Sequence, residues 1–118
     1  MKVTRGDIVR VNLGEPKGDG TPENIVRGER PALVVQNNKG NKHAPITNVI
    51  PITSKSRRLP VVVKILPDES GLPRISYVNC TNIMTVEIDD IIRKEGRITP
   101  KAMSRIENAI KIQLGLDD

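Results

Sequence analysis

Two apolar runs separated by a polar loop, within the stretch Arg27–Thr53 (RGERPALVVQNNKGNKHAPITNVIPIT), constrain the fold more than any other feature of the chain. Pro31–Gln36 (PALVVQ) is short and nearly continuous in apolar side chains, the pattern of a central strand. Ile46–Ile52 reads as the returning strand, and Asn37–Pro45, rich in Asn, Lys and Gly, as the hairpin loop. Antiparallel pairing carries the residue before the first strand and the residue after the second to one end of the sheet. Those residues are Arg30 and Thr53. A guanidinium and a hydroxyl converging there are equipped for phosphate chemistry.

Upstream, Thr4–Leu13 (TRGDIVRVNL) suits a strand, with Ile8, Val9, Val11 and Leu13 apolar and Arg10 and Asn12 on the wetter face. Gly14–Arg30 is dense in Gly, Pro and charge, and so long a connection is expected to be a mobile loop over a site. Downstream, Thr53–Leu59 (TSKSRRL) is a second, basic loop and Pro60–Leu66 a further strand. Pro67–Pro73 (PDESGLP) is a turn by its Pro, Asp and Gly content. Ile75–Val78 and Ile83–Val86 read as short strand pieces, and Glu87–Lys94 (EIDDIIRK) as a short helix ended by Gly96.

The last element is a helix. Thr99 can cap it, Pro100 fits its first position and Gly115 the residue past its end. Met103, Ile106, Ala109, Ile110 and Leu114 recur at helical spacing on one face, with Lys101, Arg105, Glu107 and Lys111 elsewhere. This amphipathic helix packs on the sheet or on a second subunit. Some five strands followed by helices, rather than strands alternating with helices, predict an α+β fold: a small antiparallel barrel with a C-terminal amphipathic helix. The 118 residues fit one domain spanning 1–118.

Lys and Arg outnumber Asp and Glu by 19 to 14, and a pI near 9.7 is compatible with a polyanionic partner, although the same surplus also serves solubility. Tyr77 is the one aromatic residue, which argues against RNA binding through a row of stacking rings. Cys80 is the one cysteine, so an intrachain disulfide and a four-cysteine zinc site are excluded, and Cys80 reads as a small packing residue. Met1–Asp7 has no apolar signal core and no apolar run is long enough to span a membrane, so a cytoplasmic chain is expected.

Four motifs, in order and at fitting spacing, give the chain a resemblance to a known family. They are RGD at Arg5–Asp7, RGERPALVVQNNKGN at Arg27–Asn41, PIT at Pro51–Thr53 and LGL at Leu114–Leu116. Together they resemble the MazF/PemK toxin endoribonucleases of bacterial toxin–antitoxin pairs, over almost the whole chain. The resemblance implies a small SH3-like barrel, usually a homodimer, that cuts single-stranded RNA with no metal and no cofactor. The ribose 2′-OH would attack the adjacent phosphorus, leaving a 2′,3′-cyclic phosphate and a 5′-OH. It also implies a cognate antitoxin laying an acidic segment over the active groove.

Carried over residue by residue, the family's arginine falls on Arg30 and its threonine on Thr53. Many relatives carry Glu five residues before that arginine, where this chain has Ile25, and the nearest acids are Glu23 and Glu29. His43, the one histidine, has the right intrinsic pKa range for an acid or base but sits in a loop that suits plain exposure equally. Arg27, Asn37, Asn38, Lys39, Lys42, Ser54, Lys55, Arg57 and Arg58 are candidates for cradling RNA, and each has the ordinary reading of a solvated loop residue. Met84 stands where relatives often have a basic residue. Two other functions share this fold: a gyrase inhibitor of the CcdB kind, which uses a tryptophan near the C-terminus that this chain lacks, and an RNA-binding module without activity.

Overall fold

The computed structural model describes residues 1–14 and 27–116. Seven strands run through them: β1 Asp7–Asn12, β2 Glu29–Val34, β3 Ile46–Thr53, β4 Val62–Ile65, β5 Ser76–Asn79, β6 Met84–Glu87 and β7 Ile91–Arg97. Three helices accompany them, α1 Asn38–His43, α2 Pro67–Ser70 and α3 Pro100–Gln113.

β3 is the organising strand. One edge takes β2, in the register Ala32↔Pro51, Leu33↔Ile50, Val34↔Val49. The other edge is divided: Ile46–Val49 pairs with β6, and Ile52–Thr53 pairs with β5. Pro51 stands at the change of partner. The Val35 N–H donates to the Asn48 carbonyl at 2.9 Å, so alternation along the ladder turns residue 51 away from β2, towards the gap between β6 and β5. A residue with no N–H costs nothing there. β1 then pairs with both β2 and β7, and β6 joins β7 through a 3₁₀ turn, Ile88–Asp90. The strands β7-β1-β2-β3-β6 therefore curl round on themselves as an SH3-like barrel, with the β4–β5 hairpin added at the end of β3. The antiparallel α+β barrel expected from the sequence is the fold found.

Both faces of the central strands are buried, which is why PALVV lacks polar alternation. Val9, Val11, Ala32, Val34, Val49, Val86 and Ile91 fill the barrel. Ile8, Leu33, Ile50, Ile52, Ile65, Val78 and Cys80 form the second cluster, closed by Ala102, Met103, Ile106 and Ala109 of α3. Cys80 is fully buried there, and the loss of water raises its thiol pKa to about 11. The α3 boundaries follow the sequence signals. Thr99 Oγ1 accepts from the Ala102 N–H, and Gly115, at φ 69°, closes a Schellman turn in which Leu116 N donates to Lys111 O at 2.8 Å. Leu114, expected on the buried face, is 56% exposed and stands at the C-cap, just past the last helical residue.

The RGD segment is a clamp. Gly6, at φ 97°, bends the chain so that its N–H reaches Val34 O while its carbonyl accepts from Ile98 N. The buried Asp7 carboxylate then takes the Thr4 N–H at 2.8 Å, Arg97 at 2.9 Å and Lys94 Nζ at 3.3 Å, tying the start of β1 to β7.

Two expectations are corrected. Asn37–Pro45 is not a plain loop: Asn37 accepts from the Gly40 N–H and caps the six-residue α1. Asn41 beneath it is buried, taking hydrogen bonds from Thr47 Oγ1 at 2.6 Å and Gln36 Nε2 at 2.9 Å and donating to Gln36 O. Glu87–Lys94 is not a helix but the end of β6, the 3₁₀ turn and the first half of β7. Pairing with β1 overrides its helical spacing, and its exposed charges blunt an edge strand. Gly96 therefore ends no helix. It lies within β7, where a β-carbon would overlap the Ser70 carbonyl oxygen. Gly96→Ala should lower stability by about 2–3 kcal/mol in urea unfolding; a change below about 0.5 kcal/mol would show that β7 does not cross this closely.

Candidate active site

The site is built where β2 and β3 stop pairing. The β1–β2 ladder is prolonged past Asn12↔Glu29, with Leu13 N donating to Gly28 O at 2.9 Å and Gly28 N to Gly14 O at 2.7 Å. Gly14 and Gly28 both take positive φ, 95° and 84°, and Asn12 Oδ1 accepts the Gly14 N–H. This glycine-pinned stem fixes the first residues of β2. Arg30 is exposed there and donates through Nε to the Arg27 carbonyl at 2.9 Å. With Nε so held, the two terminal nitrogens of the guanidinium have no partner among the described residues.

Thr53 is the last residue of β3 and half-buried. Its Oγ1 accepts from the Lys55 N–H at 3.1 Å, so the hydroxyl proton is left to donate elsewhere. The β2–β3 ladder ends at Ala32↔Pro51; carrying its register two residues further sets Arg30 opposite Thr53, on the same face as Ala32. These are non-hydrogen-bonded positions, the ones that hold opposing side chains closest. Arg30 and Thr53 lie inside β2 and β3 rather than just outside them, and the parity of the strands puts both on one face of the sheet.

The other candidates divide into two groups. Ser54, Lys55, Arg57 and Arg58 are exposed in the loop that leaves Thr53, and Arg27 is in the stem that leads to Arg30. Asn37, Asn38, Lys39, Lys42 and His43 are at the opposite end of β3, whose 8 residues extend roughly 25 Å. Asn37 caps α1, and Asn38 Oδ1 accepts the Arg5 N–H at 2.7 Å; Lys39, Lys42 and His43 are exposed. Glu29 is exposed and, as the strand neighbour of Arg30, emerges on the other face of the sheet. Glu23 and Ile25 lie outside the described residues. Met84 is half-buried against the barrel core. Among the described residues, no three His, Cys, Asp or Glu side chains gather in a group that could hold a metal ion.

Register also brings in two residues that reading the sequence did not place here. Tyr77 pairs directly with Thr53, and Lys64 with Tyr77. Nothing in the short runs around them signals this, because it depends on which strand follows β3 across the sheet.

A family model described as the PemK-like, MazF-like toxin of type II toxin–antitoxin systems matches residues 4–114. The chain belongs to this family. It is 31% identical over 112 residues to endoribonuclease MazF4 of Mycobacterium tuberculosis, an alignment covering 95% of this chain and 92% of that one. It is 30% identical to endoribonuclease EndoA of Bacillus subtilis, over 100% of this chain and 99% of the relative. A solved mycobacterial endoribonuclease in complex with its cognate antitoxin superposes with a TM-score of 0.81 at 30% identity, over 98% of each chain. MazF of Deinococcus radiodurans shares the fold, with a TM-score of 0.76 at 18% identity over 98% of each chain.

In this MazF-like chain the β4–β5 side of the site is anchored to α3 by one fork. Arg105 pairs with Glu69 through both terminal nitrogens at 2.9 Å and also donates to the Lys64 carbonyl at 3.1 Å. That guanidinium, helped by the Leu66 N–H, holds the Glu69 carboxyl below its usual range. A lowered folded-state pKa means the stabilisation is complete above the ordinary carboxylate range and fades as pH falls through the lowered value. The pair is near the surface, so Glu69→Gln should cost only about 0.5–1 kcal/mol at pH 7. Parallel urea titrations should show that difference shrinking with acidification below about pH 4. A difference that grows in acid would contradict the assignment.

Proposed function

We propose that this MazF-like toxin is an endoribonuclease that cuts single-stranded RNA in the cleft between Arg30 and Thr53. The observation that carries the reading is their placement: an exposed guanidinium, its terminal nitrogens without a partner among the described residues, on the same sheet face as a hydroxyl able to donate, just past the end of the β2–β3 ladder. The curated relatives named above are endoribonucleases, which supports the same reading.

In the reaction, the ribose 2′-oxygen forms a bond to the adjacent phosphorus and loses its proton to a base. The P–O5′ bond breaks, and the departing 5′-oxygen takes a proton. The products are a 2′,3′-cyclic phosphate and a 5′-hydroxyl. Negative charge accumulates on the non-bridging oxygens in between. Arg30 meets it with a fork of two permanently charged donors, and Thr53 Oγ1 adds a third hydrogen bond. DNA lacks the 2′-OH and is not cut by this route. Neither Arg30 nor Thr53 takes the 2′-OH proton. Among the described candidates, Glu29 faces away and His43 lies at the far end of the hairpin, so neither stands beside the cleft in this chain.

The solved mycobacterial neighbour was determined with its cognate antitoxin. We extend this to an antitoxin partner here, whose acidic segment would meet Arg30, Lys55, Arg57 and Arg58. A homodimer is proposed on the family's pattern, with the exposed Ile112, Leu114 and Leu116 at the end of α3 as apolar surface available to it. Residues 1–118 would act as one domain. No described helix is long and apolar enough to cross a membrane, which agrees with the cytoplasmic location proposed for a protein acting on cellular RNA.

The test is incubation with a long RNA in the presence of EDTA, followed by mapping of the new 5′ ends. Discrete cuts bearing 5′-hydroxyls are expected. Thr53→Ala should slow cutting by about 10²-fold and Arg30→Ala by about 10³-fold. Cuts that persist unchanged in both variants would place the chemistry elsewhere.

A further inference from the structure

Beyond the cleft, the pairing register carries a row of side chains across one face of the sheet: Lys64 on β4, Tyr77 on β5, Thr53 on β3 and, by extension, Arg30 on β2. Directly paired residues project to the same side. Their strand neighbours Val63, Val78 and Ile52 project to the other side, into the cluster that α3 closes. Tyr77 thus belongs to neither hydrophobic cluster, although it is the chain's single aromatic residue. Its ring is half-buried, about 5 Å from Thr53 between β-carbons. Lys64 follows at the next strand, exposed, and makes no ion pair among the described residues. An aromatic face followed by an ammonium, leading away from a phosphate clamp, is the order in which a single strand presents a base and then its next phosphate.

We propose that Tyr77 is the stacking platform for a base flanking the cut, and that Lys64 neutralises the phosphate beyond it. The proposal rests on the ribonuclease reading above and adds the path by which RNA crosses the β4–β5 hairpin. Tyr77 touches substrate away from the reacting phosphorus, so it acts on binding and on the choice of flanking base. One stacking ring suffices for this, whereas a row of them would be needed to hold a long strand without the clamp.

The chain has one Tyr and no Trp or Phe, so its intrinsic fluorescence reports on Tyr77 alone. Once the cut site is mapped, a short RNA containing it, made uncleavable by a 2′-deoxy substitution at the cut nucleotide, is titrated into the protein. N-acetyl-tyrosinamide serves as the control for light absorbed by the RNA. Saturable quenching is expected. Tyr77→Leu should weaken binding and raise KM roughly ten- to a hundred-fold with kcat nearly kept, and Tyr77→Phe should restore most of it. Lys64→Gln should lower the log–log salt slope of binding by about 0.7. Wild-type cutting with unquenched fluorescence at saturation, or Tyr77→Leu binding as tightly as the wild type, overturns the stacking role while leaving the ribonuclease reading intact. No cutting of RNA by the wild-type chain removes both.

Discussion

Three residue pairs, Ala32–Pro51, Leu33–Ile50 and Val34–Val49, set the register on which everything else depends. A one-residue slip of β2 would turn Ala32 and Val34 out of the barrel and Leu33 out of the α3 layer, and a slip of β3 would do the same to Val49 and Ile50. Burial on both faces therefore penalises any other pairing from two sides at once. The same parity puts Arg30 and Thr53 on one face and sends Glu29 to the other. Site geometry here follows from core packing rather than from contacts between the functional groups themselves.

β3 also decides how far the site extends. It takes β6 along its first half and β5 at its end, with Pro51 at the exchange. The first pairing adds β6 to the barrel; the second brings a separate hairpin alongside Thr53. That hairpin is held from behind by the Arg105–Glu69 fork and by Val78 and Ile65 in the α3 layer. The face left open carries Tyr77 and Lys64. The barrel strands alone would have ended the polar surface at Thr53.

Much of this architecture is legible in the sequence, for identifiable reasons. Continuous apolar runs bounded by Pro, Gly and Asn mark β1, β2 and β3, and three helix-end signals at Thr99, Pro100 and Gly115 fix α3. What is not legible depends on partners distant in the chain. QNNKGN has the composition of a loop, and it becomes α1 because Asn41 finds the buried hydroxyl of Thr47 while Asn37 caps the turn. EIDDIIRK has helical spacing, and its second half becomes the start of β7 because the Asp7 clamp on Lys94 and the β1 edge claim it. Tyr77 beside Thr53 cannot be read from the chain at all, since strand order is a property of the sheet. The opening RGD serves as a family mark in the sequence and proves to be a structural joint, with Asp7 buried between two cations.

The central claim is that the scissile phosphate sits between Arg30 and Thr53. A crystal structure of the protein with the 2′-deoxy substrate RNA tests it directly. Non-bridging oxygens are expected within about 3 Å of the Arg30 terminal nitrogens and of Thr53 Oγ1. A phosphate of the cut linkage bound instead near Lys39, Lys42 and His43, with Arg30 and Thr53 untouched, would contradict it.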